Sequence, residues 1–350
     1  MCPPPRPHRY PRPRIVVSRC ITFDPVRYDG SIILDMLVDR MKPFVDFIPV
    51  CPEVGIGLGV PRDPIRIVRT DAGDRLVQPA TGRDLTEEME RFAREFLGRL
   101  PPVDGFILKE RSPSSAKTGA KVFPDAVSAT PVARGPGTFG RAVLARFGRL
   151  PVEGEGRLRD AGVRDHFLTA VFTLARFREA RDAGQVRALA RFHEENRLLL
   201  MAASGRALRT MDRLVANRDV TPPEEAFTQY RDLLLAALRR PSSVSAKSRV
   251  LALVEDCFMD RVPGREKRRF HASLRRYRGG LTTSGEPKRL VLAWFTRYSV
   301  QPPEDPGFGE LPLGDQTFFS PYPEELDIRE GEPLERRKDN RQGSGRVQRR

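Results

Sequence analysis

The sequence predicts two structural halves, a parallel α/β sheet followed by an all-α region. Strand-like and helix-like segments alternate up to about residue 150, as in sheets built from strand–helix–strand units. The Pro- and Gly-containing stretch at 150–162 is predicted to be a linker, and beyond it apolar residues recur at helical spacing almost to residue 300. We therefore predict an α/β domain at 13–149 and a helical domain at 160–330. Basic tails at 1–12 and 331–350 are expected to be flexible and to lack fixed contacts.

Three short apolar runs in the first half predict buried strands, because they are rich in β-branched and aromatic residues and end at polar or turn-forming residues. They lie at 14–20, 44–50 and 103–109. Helices are predicted at 32–41, 86–100 and 139–147, and a half-exposed strand at 65–69. Residues 70–82 are predicted to be irregular and rich in turns.

The spacing of apolar residues in the second half predicts about six helices. They are placed at 164–182, 186–201, 224–238, 247–259, 265–277 and 287–298. The segment 316–326 is predicted to pack back on the body of the protein. Its Phe318, Phe319, Tyr322 and Leu326 are too apolar for a free tail.

The composition is typical of a water-soluble globular protein. The 350 residues are 39% hydrophobic and 31% charged. No apolar run approaches the roughly 18 residues of a membrane span, and the N-terminus has no apolar region typical of a secretory signal. Four cysteines at unrelated spacings do not make a disulfide framework. We therefore expect a cytoplasmic protein with reduced thiols and no membrane partner.

The net charge of +15 favours an anionic partner, but its distribution is uneven. Ten of the fifteen charges lie in the terminal segments 1–14 and 336–350. Basic tails are usually solvated chain ends and sometimes arms that bind nucleic acid without specificity. No zinc-finger or RNA-recognition signature supports specific recognition.

Two thiols and a serine cluster follow the predicted strands. Cys20 ends the first strand, Cys51 directly follows the second, and a serine-rich loop at 112–115 follows the third. The carboxyl ends of parallel strands meet at one edge of a sheet, where ligands bind in open α/β folds. We therefore expect these side chains to converge. A buried free cysteine in a turn is the alternative for Cys51.

Several motifs in the first half occur in one order across residues 13–147. They are the strand ending at Cys20, Val26-Arg27-Tyr28-Asp29-Gly30, Cys51-Pro52-Glu53, the segments 57–62, 82–86 and 105–109, and Arg111-Ser112-Pro113-Ser114. These motifs resemble the TudS-like thiouracil desulfidase family, also called domain-of-unknown-function family 523. The resemblance implies a four-iron four-sulfur cluster on three cysteines, and removal of sulfur from a thiolated base or a related small molecule.

The resemblance places the three cluster positions at Cys20, Cys51 and Ser115. The family reads Ser-Pro-Ser-Cys-Gly where this chain has serine at 115 and alanine at 116. A serine hydroxyl is a much poorer cluster ligand than a thiolate. Three hypotheses follow: a sulfur-handling enzyme, a non-catalytic paralogue that binds a ligand or assists another protein, and a nucleic-acid-associated protein acting through its basic tails.

Two residues of the same motifs are candidates for catalysis. Glu53 is a candidate general acid or base, because burial can raise the pKa of a carboxyl group toward neutrality. The alternative is a carboxylate that accepts hydrogen bonds from loop N–H groups. Ser112 is a candidate to bind or protonate substrate, or else it caps a turn beside Pro113.

Five further residues are candidates for binding substrate. They are Arg27, Tyr28, Asp29, Arg62 and Ser114. A guanidinium group suits the phosphate of a nucleotide, which favours a binding role for the two arginines. The alternative is a structural salt bridge with Asp29 or Asp63.

The second half shares another set of motifs with a known family. The motifs are Arg191-Phe192-His193, the segment 199–202, Tyr277-Arg278-Gly279 and the segment 316–326. They resemble the YbgA-like family, domain-of-unknown-function family 1722. This resemblance does not indicate any particular biochemical activity. Family histidines correspond here to Asn196, Ala203 and Leu253. Cys257 is predicted to be a small core residue and His193 a satisfied or half-buried histidine on a helical stripe, each with a ligand role as the alternative.

Overall fold

The computed structural model describes residues 10–217, 221–258, 261–298 and 311–327. The predicted fold class is confirmed, since a parallel sheet with flanking helices precedes a mostly helical region. Within these ranges, no helix is both long enough and apolar enough to cross a membrane. Residues 1–9 and 328–350 lie outside the described ranges, and with them most of both basic tails.

The elements are numbered in chain order. The strands are β1 (Arg14–Ser18), β2 (Asp46–Val50), β3 (Arg66–Thr70), β4 (Gly73–Gln78), β5 (Arg83–Asp84), β6 (Gly105–Leu108), β7 (Ala120–Phe123), β8 (Ala133–Gly135) and β9 (Val152–Gly154). The helices of the first half are α1 (Met36–Met41), α2 (Pro52–Gly55), α3 (Thr86–Gly98) and α4 (Thr138–Phe147). Those of the second half are α5 (Ala161–Asp182), α6 (Val186–Glu195), α7 (Arg197–Ala203), α8 (Gly205–Ala216), α9 (Pro223–Ala237), α10 (Val244–Asp256), α11 (Gly264–Arg278) and α12 (Gly285–Arg297).

A four-stranded parallel sheet, ordered β2-β1-β6-β9, forms the middle layer of the N-terminal half. Side chains of β1 alternate between its two faces, as the pleat requires. Ile15 and Val17 pack with residues of α1 and α5, whereas Val16 packs with residues of α3 and α4. The three predicted strands are thus parallel neighbours, and their carboxyl ends lie at one edge.

Two predictions for the first half were wrong. Residues 70–82 are not irregular, because β4 forms an antiparallel hairpin with β3 inside a second sheet ordered β5-β4-β3-β7-β8. Only Leu76 and Gln78 of β4 are buried, so its sequence carries little apolar signal. The stretch at 150–162 is not simply a linker, since β9 extends the first sheet beside β6.

Helix α1 is shorter than the predicted helix at 32–41. It begins at Met36 because the Asp35 side chain caps it, accepting a hydrogen bond from the Val38 N–H over 2.9 Å. The preceding Ile33 pairs instead with Ile21 in an isolated bridge. This pairing holds the loop that carries Cys20.

The second half contains eight helices among its described residues, rather than about six. The predicted helix at 186–201 is broken at buried Asn196, whose Nδ2 donates to the Phe192 carbonyl over 2.7 Å. Helix α8 was not predicted. Helix α5 packs into both halves, because Phe167 and Val171 contact the first sheet while Leu174 and Phe177 join the helical core.

The segment 316–326 packs on the body as predicted. Phe318, Phe319 and Leu326 are 3%, 5% and 0% exposed. Gln316 joins two helices, because its Oε1 accepts from the Leu198 N–H over 3.1 Å and its Nε2 donates to the Glu194 carbonyl over 2.7 Å.

Residues 10–12 do not behave as a free tail, so that expectation was wrong for this part of the N-terminus. The Tyr10 ring meets Phe172 edge to face at 6.1 Å. Arg12 forms an ion pair with Asp46 at 2.5 Å and donates to the Val45 carbonyl over 3.0 Å. The basic N-terminal segment is therefore anchored to the sheet from residue 10 onward.

Candidate functional site

A cavity of about 330 Å³ lies at the carboxyl ends of β1, β2 and β6. Nine of the ten predicted site residues line it: Cys20, Arg27, Tyr28, Cys51, Glu53, Arg62, Ser112, Ser114 and Ser115. Asp29 is not among the lining residues. The parallel sheet thus brings together side chains that are almost a hundred residues apart in the sequence.

Cys20 and Cys51 enter the cavity from adjacent loops. Cys51 is the N-cap residue of α2, directly after β2, and the Arg19 N–H donates to the Val50 carbonyl over 2.8 Å, which holds the two loops together. Burial, with the neighbouring Cys51 thiol, raises the pKa of Cys20 to about 12. Burial also raises the pKa of Cys51. Both groups are therefore protonated thiols at neutral pH.

Helix α4 holds the serine loop at 112–115 in place. Thr138 N–H donates to the Pro113 carbonyl and Gly140 N–H to the Ser114 carbonyl, each over 3.0 Å. A Cβ atom at Gly140 would lie 2.1 Å from the Ala116 carbonyl oxygen, so only glycine permits this approach. The helix therefore sets the position of Ser114 and Ser115 in the cavity.

A short hydrogen-bonded chain of hydroxyl groups leads from this loop to Glu53. Ser114 Oγ donates to Glu53 Oε1 over 2.7 Å, and the Ser112 and Ser114 hydroxyls are 2.9 Å apart. Because Ser114 donates its proton to Glu53, Ser112 must be the donor in the second bond. Ser112 Oγ also accepts from the Ser115 N–H over 3.1 Å. Ser112 thus caps the turn, as its alternative role predicted, and still faces the cavity.

Glu53 and Arg62 form a largely buried ion pair on the cavity wall. Arg62 donates to Glu53 Oε2 through Nε at 2.9 Å and Nη2 at 2.5 Å, and the two side chains are 5% and 13% exposed. Arg62 also donates to the Gly59 and Val26 carbonyls. Arg62 thus forms a salt bridge, though with neither Asp29 nor Asp63. Both oxygens of Glu53 accept hydrogen bonds, so proton transfer to or from a substrate would require the Ser114–Glu53 hydrogen bond to break.

The segment 27–29 lies at the cavity mouth. Tyr28 is 44% exposed, and the Arg27 guanidinium lies 5.6 Å from the centre of its ring. Arg27 also forms an ion pair with Asp29 at 3.7 Å and donates to Ser31 Oγ over 2.7 Å. The ion pair is the structural salt bridge that was the alternative to a binding role. Hydrogen bonds from Ser31 lower the pKa of Asp29. Asp29 therefore orients Arg27 rather than facing the cavity.

Five polar or charged lining residues were not among the predicted site residues: Ser18, Arg19, Lys109, Glu110 and Arg111. Each lies at or just beyond the end of β1 or β6, so the rule that identified the cysteines could have found them. Lys109 is held in an ion pair by Glu155, which also accepts the Glu110 N–H over 2.8 Å. Glu155 follows β9, in the stretch that the sequence predicted as a linker.

The cavity does not supply the three thiolates implied by the family resemblance. It offers two protonated thiols and the Ser115 hydroxyl, which lies 3.5 Å from Ser114 Oγ. Across the described ranges, no three His, Cys, Asp or Glu side chains form a group able to hold a metal ion. A hydroxyl is a weak substitute for a thiolate ligand. The residues present therefore do not fit a cluster held by three cysteines.

The ligand candidates of the second half lie outside this cavity. His193 is 1% exposed, and its ring nitrogens contact the Tyr230 hydroxyl at 3.0 Å and Asp212 Oδ1 at 2.9 Å. Burial lowers the pKa of His193. Cys257 packs at the edge of the helical core, with Sγ 3.5 Å from the Leu253 carbonyl. The contacts of both residues match these predicted structural roles.

Comparison with known families gives one match in each half. The family model described as 2-thiouracil desulfurase matches residues 15–155, and the model of a protein of unknown function, DUF1722, matches residues 197–323. Among solved structures, a [4Fe-4S]-dependent thiouracil desulfidase, TudS, is 31% identical. The alignment covers 43% of this chain and 95% of that chain, with a TM-score of 0.35. The search of curated proteins gives no match.

Proposed function

Because residues 15–155 of this chain belong to the 2-thiouracil desulfurase family, we propose that the cavity binds a small thiolated heterocycle and acts on its sulfur. The observation that carries this proposal is the convergence of Cys20, Cys51 and the serine loop on one cavity. Its volume of about 330 Å³ falls in the range of small-molecule sites.

The cavity wall offers a different contact for each part of such a ligand. The protonated thiols of Cys20 and Cys51 form a soft, polarizable surface for a thiocarbonyl sulfur, and each can donate a weak hydrogen bond. The half-exposed Tyr28 ring can stack on a planar heterocycle at the mouth. Because Ser114 donates its proton to Glu53 and Ser112 donates to Ser114, the Ser114 oxygen can accept a hydrogen bond from a ring N–H. The Glu53–Arg62 pair positions Ser114 for this contact.

The finer proposal, iron–sulfur-dependent desulfuration, is limited by Ser115. A second candidate is therefore a binding or accessory protein that retains the cavity without the reaction. Two points favour it: the family resemblance implies a thiolate where this chain has Ser115, and both Glu53 oxygens are already engaged.

Calorimetry with 2-thiouracil and uracil tests the binding proposal, because the two ligands differ only in sulfur and oxygen. We expect 2-thiouracil to bind more tightly and Cys51→Ala to remove that preference. Cys257→Ala is the matched control, since it removes a thiol from the helical half. Equal affinity for the two ligands, or a preference that survives Cys51→Ala, would contradict the proposal.

Sulfide release separates the two candidates once binding is established. An enzyme should convert 2-thiouracil to uracil and release sulfide in anaerobic, iron-reconstituted protein. A binding protein should retain 2-thiouracil unchanged under the same conditions. Binding without sulfide release would therefore favour the accessory role.

A further inference from the structure

Two lysines share one carboxylate beneath a cleft in the helical half. Lys247 Nζ donates to Asp165 Oδ2 over 2.7 Å, and the Tyr322 hydroxyl donates to Asp165 Oδ1 over 2.9 Å. Lys288, in the first turn of α12, is 7% exposed. Within the described ranges its ammonium group has no hydrogen bond and no ion pair. It lies 4.6 Å from the centre of the Phe318 ring.

This cluster holds one more positive charge than negative charge. Although burial raises it, the pKa of Asp165 is lowered to about 2 by the charges of Lys247 and Lys288, so the carboxylate is ionised. Burial lowers the pKa of Lys288 to about 8, which leaves most of it protonated at neutral pH. A buried charge is unfavourable unless an opposite charge lies close to it. Lys288 therefore shares the Asp165 carboxylate with Lys247, and the charge of Asp327 acts on it more weakly.

A cleft beside Lys288 and Lys247 is suited to an anion. Its inner volume is about 30 Å³, and its polar lining includes His166, Thr169, Arg240 and Ser242. No acidic side chain of the described residues lines it. The larger neighbouring cavity, about 110 Å³, differs because Asp165, Glu324 and Asp327 line it.

We propose that this cleft binds an oxyanion, the carboxylate or phosphate group of a small molecule, with Lys288 as the main contact. The group would lie against Lys288 and Lys247, within reach of the Ser242 hydroxyl. The inner space admits only the anionic head, because a single water needs about 10–15 Å³ of such volume. The rest of the ligand must leave through the open side of the cleft, past Arg240 and the apolar wall of Leu199 and Leu238.

Thermal unfolding of the full chain with inorganic phosphate, and separately with acetate, tests the site at constant ionic strength. We expect phosphate, acetate or both to raise the unfolding temperature of the wild type. Lys288→Met should weaken the effective anion by at least about tenfold, because it removes a charge-assisted bond from a desolvated site. Arg239→Met, an exposed charge outside the cleft, is the matched control and should behave as the wild type.

Two outcomes would overturn the site. Equal shifts in the wild type and in Lys288→Met would place the anion on other basic surface, and no shift with either anion would exclude binding. Lys288→Met without anion should be as stable as the wild type or more stable, since an apolar chain replaces a largely buried cation that shares its nearest carboxylate with Lys247. If that variant does not fold, Ser242→Leu provides the test by filling the cleft, and a phosphate or acetate shift that persists in it would equally overturn the site.

Discussion

Each half of the molecule contains a buried polar cluster, and the two clusters differ in what surrounds them. In the α/β half, Glu53 contacts both Arg62 and Ser114, and all three border a cavity of about 330 Å³. In the helical half, His193 and Tyr230 are 1% and 0% exposed and contact only other protein groups. Parallel strands end together and leave an edge that loops enclose incompletely, whereas the helices around His193 close over it. A polar residue at a strand end is therefore a better indication of a ligand site than a polar residue enclosed as His193 is.

The largest expected effect tests the first cluster. Arg62→Met should reduce the free energy of unfolding by about 3 kcal/mol, because it leaves the Glu53 carboxylate largely buried without its ion pair. The same variant should weaken 2-thiouracil binding, since Glu53 positions Ser114. Urea unfolding and calorimetry measure the two effects.

Arg69→Met is the matched control for this variant. Arg69 pairs with Asp74 at 2.9 Å but is 52% exposed, so its loss should change stability by less than about 1 kcal/mol. If both variants lose the same stability, the Glu53–Arg62 pair does not hold the cavity wall.

Tyr230→Phe tests the second cluster. It removes the hydroxyl that contacts His193 Nδ1 and should reduce the free energy of unfolding by about 1–2 kcal/mol, because a buried polar atom loses its partner. Binding of 2-thiouracil should not change. Weaker binding in Tyr230→Phe would show that the two clusters are coupled.

Ser114→Ala should instead weaken 2-thiouracil binding and leave the free energy of unfolding nearly unchanged. Water in the cavity can replace the lost hydroxyl, whereas the ligand loses its contact with Ser114.

The smallest expected effect is a pH dependence from His193. Its pKa in the folded protein lies below the ordinary value of 6.5, so the unfolded chain takes up this proton first as the pH falls. Stability should therefore be unaffected by this group above pH 6.5 and decrease below it, toward the lowered pKa of the folded state. In His193→Gln, the loss of stability between about pH 7.5 and about pH 5.5 should be smaller. Identical losses in urea unfolding at the two pH values would show that His193 is not responsible.

The convergence of Cys20, Cys51 and the serine loop was predictable, because buried strands and their direction can be inferred from apolar runs. The ion pair between Arg62 and Glu53 was not predictable from the sequence, since it depends on the path of the loop between α2 and Arg62. That path includes Gly57 in a left-handed conformation at φ +84°. Strand β9 and Glu155 were missed for a related reason. A three-residue edge strand with one clearly apolar residue cannot be distinguished from a linker by its sequence.

We propose that Cys20, Cys51 and Ser115 occupy the three positions of one inherited site, with a hydroxyl in place of the third thiolate. The most direct test is iron content after anaerobic reconstitution of three proteins: wild type, Ser115→Cys, and Ser115→Cys combined with Cys51→Ala. We expect Ser115→Cys to retain close to about four irons per chain, as one cluster on three thiolates requires. The wild type and the double variant should retain clearly less. A Ser115→Cys protein that holds no more iron than the wild type would contradict the claim.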